Sequence, residues 1–210
     1  MIKLAPEGYP FIIASGAFSA VAAVYGGLLF AVPLILLALF MVFFFRDPER
    51  TVPSGENLFV APADGKIVLI REVFEPTHLK SGMKEISIFM SPADVHVNRA
   101  PCDGKVKEIK HNKGRFVAAY KEEASLSNEN IEMVLETRYG DILVRQVAGF
   151  LARRAVCRKR KGDVLRRGER YGMIKFSSRV DTYLPKSVNV KVGLNDKVKA
   201  GETILAVLSE

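Results

Sequence analysis

Three histidines, His78, His96 and His111, are the side chains whose ordinary pKa lies near neutrality. His96 has the most suggestive setting, closing the run Ser91-Pro92-Ala93-Asp94-Val95-His96. A neutral imidazole can accept a proton from a hydroxyl or a carbon acid. A carboxylate beside it orients the ring and stabilises its protonated form. Two aspartates qualify for that part. Asp94 precedes His96 by two residues and on an extended backbone shares its side of the strand. Asp64 lies in the turn Pro62-Ala63-Asp64-Gly65. His78 and His111 stand in no motif and read as surface residues. A metal-dependent hydrolase would need more ligands: no His-x-His pair is present, and Cys102 and Cys157 lack metal-site spacing. Two cysteines give no disulfide framework, so reduced thiols are expected.

The eleven residues from Tyr171 to Asp181, Tyr-Gly-Met-Ile-Lys-Phe-Ser-Ser-Arg-Val-Asp, are the most informative segment. They resemble the self-cleavage segment of phosphatidylserine decarboxylase proenzymes. Further pieces follow in that family's order. Phe44-Phe45-Arg46-Asp47-Pro48-Glu49-Arg50 resembles its junction between anchor and catalytic domain. Pro62-Ala63-Asp64-Gly65 and Ser91 to His96 resemble the motifs that supply its Asp and His. Gly114 to Ala118, Ala148-Gly149 and Ala152-Arg153-Arg154 fit its central region.

The resemblance implies self-cleavage between residues 177 and 178, leaving chains 1–177 and 178–210 that stay associated. Ser178 Oγ would attack the carbonyl of residue 177, with His96 as base. Asp64 would be its main carboxylate partner and Asp94 a second. Ser178 would then become a pyruvoyl group, the cofactor, whose ketone forms a Schiff base with the substrate amine. No metal is implied. The substrate would be phosphatidylserine, converted to phosphatidylethanolamine and carbon dioxide, with an archaeal ether lipid bearing the same headgroup as the alternative. Two positions depart from the family pattern. Ser177 stands where glycine is usual, which is expected to slow or block cleavage because a Cβ resists the sharply bent backbone the attack needs. Arg99 stands where some members have a second histidine.

The elements that must hold these residues differ between the two ends of the chain. Phe11 to Phe45 contains no Asp, Glu, Lys, Arg, His, Asn or Gln. As one helix it would be about 52 Å long, against a hydrocarbon core of about 30 Å. Gly26-Gly27 and Pro33 offer a place to turn. The reading is therefore a membrane anchor over 1–50, built of two helices near Pro10–Tyr25 and Leu28–Phe45, spanning or re-entrant. A signal peptide fits less well, since the stretch is too long and lacks a basic leader.

From residue 51 to 210 the pattern changes to short apolar runs punctuated by Gly, Asp, Asn and Pro. Strands are expected over Lys66–Arg71, Glu85–Met90, Asp141–Val147 and Ser187–Val192. Pro62-Ala-Asp-Gly-Lys-Ile and Pro101-Cys-Asp-Gly-Lys-Val form a near-repeat, each an Asp-Gly turn entering a strand. Asn195 to Leu208 has the rhythm of lipoyl and biotinyl domains. The expected fold is mainly β, an antiparallel sandwich or flattened barrel related to those domains. Such kinship supplies a rival function, a carrier domain using Lys175. A membrane-tethered interaction module is the remaining class.

Residues 1–50 carry three basic and three acidic side chains, so the net charge of +8 belongs to the rest of the chain. Arg153 to Arg170 holds nine basic and two acidic residues. Beside an apolar anchor, such a run suits anionic membrane lipids better than nucleic acid, for which no motif is present. The expected location is the cell membrane, with the catalytic domain facing the cytoplasm. A homodimer stays open.

Overall fold

The computed structural model describes residues 3–114, 128–149, 154–175 and 178–208. The chain forms two compact units, Met1–Glu49 and Arg50–Glu210. In the first, a short 3-10 turn over Pro6–Gly8 leads into helix α1 (Tyr9–Tyr25), and α2 (Leu28–Phe44) follows. The break falls at Gly26-Gly27. Gly26 still donates to the carbonyl of Ala22, and Gly27 then takes a φ of 73°, which a residue with Cβ resists. Ser15 and Ser19 are the buried residues of α1, and each hydroxyl bonds back to a carbonyl four residues earlier, at 2.7 Å. The rings of Phe11 and Phe45 stack at 5.4 Å, tying the start of α1 to the end of α2. Pro6–Tyr25 is long and apolar enough to cross a membrane, whereas Leu28–Phe44 is shorter.

The second unit is β throughout its described residues. Its strands are β1 (Leu58–Val60), β2 (Gly65–Glu75), β3 (Ser81–Met90), β4 (Val97–Arg99), β5 (Gly104–Asn112), β6 (Asn130–Thr137) and β7 (Gly140–Ala148). They continue with β8 (Ala155–Cys157), β9 (Val164–Leu165), β10 (Arg170–Ile174), β11 (Ser178–Pro185), β12 (Val188–Val190), β13 (Lys197–Val198) and β14 (Ile204–Leu208). One antiparallel sheet runs β13-β2-β3-β11-β7-β6-β5-β9, and two small sheets run β1-β14-β12 and β4-β10-β8. Among the described residues the end strands β13 and β9 do not pair, so the large sheet is curled and open, not a closed barrel. The expected strand Ser187–Val192 is cut to β12, and Asn195 to Leu208 divides between two sheets.

One face of the large sheet supplies the core. Ile86, Ile88 and Met90 of β3, Val180 and Leu184 of β11, and Ile142 and Val144 of β7 pack there. The other face is also buried yet ionic. Arg179 pairs with Asp181 at 2.5 Å, Arg145 with Glu132 at 2.7 Å, and Tyr183 donates to Glu85 at 3.0 Å. Strand β11, paired with β3 along its length and with β7 from Ser178 to Tyr183, is thereby fixed on both edges and both faces.

The near-repeat proves longer than its sequence signal. β2 and β5 both begin at the glycine of Asp-Gly, and both are bulged a few residues on, at Ile67/Leu69 and Val106/Glu108. β13 pairs with the start of β2, as β9 does with the start of β5. Asp64 accepts from the Ala200 amide at 2.8 Å, and Asp103 from the Arg167 amide at 2.7 Å. Gly201 and Gly168, each one residue further, share a φ of 76°.

Candidate active site

Ser178 opens β11 and is fully buried, its hydroxyl donating to the Met90 sulfur at 3.3 Å. Its side of the strand is the core side, so the hydroxyl is shielded from bulk water. Phe176 and Ser177 lie outside the described residues, as do residues 115–118 and 150–153 of the central motifs.

His96 immediately precedes β4 and is also fully buried. Its Nδ1 lies 3.0 Å from the backbone carbonyl of Asp94. A carbonyl can only accept, so Nδ1 carries the proton and Nε2 the basic lone pair. Its own backbone carbonyl accepts from Ile174 at 3.3 Å, at the end of β10 where the chain runs toward Ser178. Two residues beyond His96, in β4, Asn98 approaches the Met90 sulfur at 3.8 Å. Ser178 and Asn98, two residues after His96, therefore converge on one methionine.

Asp94 does not follow the extended path expected of it. Residues 92–94 turn, and its carboxylate accepts from the amide and hydroxyl of Ser91 at 2.8 and 2.7 Å. What reaches the imidazole from Asp94 in that bond is its main-chain carbonyl. The reason is local: an aspartate three residues after a serine closes a turn more readily than it reaches along a strand.

Asp64 sits in the turn before β2. Beyond the Ala200 amide, it accepts from Arg50 at 2.7 Å, and Arg50 also approaches Glu202 at 3.5 Å. Burial pushes the Asp64 carboxyl above its ordinary pKa, outweighing the amide and the guanidinium that favour its charge. Asp64 and Asp94 line the same cleft, about 470 Å³ in volume. The repeat separates two parts of Asp64's chemistry. Holding a turn amide is shared with Asp103, whereas the Arg50 pair belongs to Asp64.

Sequence reasoning missed three residues here. Arg50 was visible only as the last residue of the junction motif. Asn98 and Gln146 form a buried amide pair at 2.8 Å. Their signal was an uncharged polar residue next to an arginine within a short strand run, in Val97-Asn98-Arg99 and Val144-Arg145-Gln146-Val147. Arg99, at the place of a second imidazole, is buried and donates to the Gly168 carbonyl at 2.9 Å, a bond that braces the turn between β9 and β10. His78 and His111 were expected at the surface. His111 is exposed, but the His78 side chain is buried against Glu132 at 3.1 Å. Among the described residues, no group of three His, Cys, Asp or Glu side chains could hold a metal. Burial pushes the Cys102 thiol up to about 12, leaving it a core residue.

Part of the basic run is used by the fold. Lys159 pairs with Glu169 at 2.5 Å, and Arg167 donates to the Pro53 carbonyl at 2.8 Å. Arg154, Arg158, Arg160, Lys161 and Arg166 are exposed.

Comparison with known proteins agrees with the motif order. The sequence model of the family described as phosphatidylserine decarboxylase matches residues 37–206. The chain is 48% identical over 212 residues to a phosphatidylserine decarboxylase proenzyme of Citrifermentans bemidjiense, covering 98% of this chain and 96% of the relative. It is 45% identical over 206 residues to that of Geotalea uraniireducens, with the same coverage. The proenzyme of Syntrophus aciditrophicus is 45% identical over 204 residues, 96% of each chain.

Proposed function

The chain belongs to the phosphatidylserine decarboxylase family, and from that premise we propose that it is a membrane-anchored proenzyme that cleaves itself before Ser178 and then decarboxylates phosphatidylserine. The observation that supports this reading is the convergence of Ser178 and Asn98, two residues after His96, on Met90, with the imidazole held as the Nδ1–H tautomer.

In maturation, His96 Nε2 takes the Ser178 hydroxyl proton as Oγ attacks the carbonyl of residue 177. The C–N bond breaks as the ester forms, and the proton passes to the released nitrogen. Loss of the Ser178 Cα proton to a base then expels the upstream carboxylate and leaves dehydroalanine, whose imine form is hydrolysed by water to the ketone with release of ammonia. Asp94 holds the imidazole orientation through its carbonyl. Asp64 and Arg50 fix the turn beside it.

The burial of Ser178 at the head of a doubly paired strand suits a pyruvoyl group, because the new chain end stays in place and out of water. When present, that group supplies the electron sink for loss of carbon dioxide. His96 is the residue that returns a proton to the substrate carbon. The exposed basic residues of 154–166 face anionic lipid. The archaeal ether lipid is the second substrate reading, supported by the headgroup it shares.

The test is intact mass of the purified full-length protein together with carbon dioxide release from phosphatidylserine. A pyruvoyl-capped 178–210 chain, formed slowly because of Ser177, and gas release in proportion to it are expected. A single unmodified chain that nonetheless decarboxylates would overturn the mechanism.

A further inference from the structure

The cleft that holds Asp64 and Asp94 is also lined by Lys66, Lys197 and Lys199. All three are exposed, and Lys66 and Lys197 stand directly opposite each other across β2 and β13. Like charges placed so destabilise a sheet. Among the described residues neither forms an ion pair, while Lys199 reaches Glu202 only at 4.0 Å. The fold does not require the arrangement. In the second copy of the repeat the matching positions are Lys105 and Val164, again directly opposite, so the same pairing is built with one charge. The doubled charge belongs to the half that carries Asp64 and the His96 loop.

We infer that Lys66 and Lys197, with Lys199 at the rim, form the subsite for the phosphodiester of a phospholipid headgroup. This rests on the decarboxylase reading and adds where that substrate's phosphate is held. A serine headgroup has a negative phosphate and carboxylate and a positive ammonium. The cleft offers both signs in return, lysines from β2 and the β13 segment and carboxylates from Asp64 and Asp94. An anion bridging Lys66 and Lys197 also removes the repulsion that the empty pair carries.

The experiment compares full-length protein with a Lys66→Met, Lys197→Met variant and with a Lys105→Met, Lys110→Met variant that loses equal charge elsewhere in the catalytic unit. Binding of soluble glycerophosphoserine is read by calorimetry on a Ser178→Ala background, where no turnover intervenes. It should weaken about tenfold or more in the first variant and hold in the second. In the active proteins, KM for phosphatidylserine in mixed micelles should rise by a similar factor only in the first. No binding to lysine-intact protein, or equal binding by all three, overturns the subsite even where carbon dioxide is released. Failure of wild-type protein to decarboxylate would sink the activity reading instead, with the binding comparison still deciding the subsite. Inorganic phosphate is the second probe. If it binds as tightly as glycerophosphoserine with the same lysine dependence, the site takes bare phosphate and the lipid assignment falls.

Discussion

At the scale of single residues, two substitutions separate base from geometry. His96→Ala removes the proposed base, so the 210-residue precursor should accumulate uncut, as seen by intact mass. Normal cleavage in that variant would remove His96 from the mechanism. Ser177→Gly should speed cleavage relative to the parent, because glycine adopts the bent backbone at the scissile carbonyl at little cost. Equal rates in both proteins would show that Cβ at 177 is no obstacle. Asp64 makes a prediction about pH. Its carboxyl is raised above the ordinary aspartate pKa, chiefly by burial. A group raised in the folded state contributes stability that is full below its unfolded pKa and lost as pH rises through its folded one. The melting temperature of wild type minus that of Asp64→Asn should therefore grow as pH is lowered from neutral toward about 4. Asp103→Asn, which also loses a turn carboxylate, controls for the structural part. Maturation should slow in Asp64→Asn and proceed normally in Asp103→Asn.

At the scale of elements, β11 is held in a way that would survive the proposed cut before Ser178. Pairing with β3 and β7 holds its backbone, and the ionic face holds its outer side chains. Glu132 shows how that face is balanced. Burial alone would raise its pKa, yet His78, Arg145 and Asn112 together bring it below the ordinary value. Its contribution is present above the unfolded pKa and is lost as pH falls through the folded one, the reverse of Asp64. Arg145→Met would strand that carboxylate and the Tyr183 hydroxyl it serves. The expected cost is about 3–5 kcal/mol, read as a fall of roughly 10 °C in melting temperature. A fall of only a degree or two would mean that His78 and Asn112 suffice.

At the scale of the whole molecule, the two units obey different solvents. The Arg50–Glu210 unit encloses its own apolar core. The Met1–Glu49 unit leaves apolar side chains exposed on both helices, with Tyr25 at 86% and Leu29 at 83%. A helix apolar all round is stable only where something apolar covers it. Deleting residues 1–45 should release the protein from sedimenting membranes after lysis without detergent. Persistence in the membrane fraction through a high-salt wash would place the attachment elsewhere, whereas release by salt alone would assign it to the exposed basic residues of 154–166.

The sequence by itself determined what depends on local chemistry. The uncharged run from Phe11 to Phe45 marked the apolar unit, and the Asp-Gly turns marked the entries to β2 and β5. The cleavage-segment motif singled out Ser178, and Asp64, Asp94 and His96 were all legible from short patterns. Partnership was decided only by the tertiary structure, because hydrogen bonds and ion pairs join residues far apart in the chain. Arg50 reaches Asp64 because the chain folds back through the Pro62 turn. Asp94 spends its carboxylate on Ser91 because residues 92–94 bend, which a two-residue spacing could not announce. The repeat was visible as two short motifs; the segments Asp163 to Glu169 and Asp196 to Glu202 share Asp, Gly and Glu at the same spacing, but only the sheet pairing joins them to β5 and β2 as parts of the same repeat. Those segments are alike because each must pair with the start of a bulged strand and turn its amide toward an aspartate.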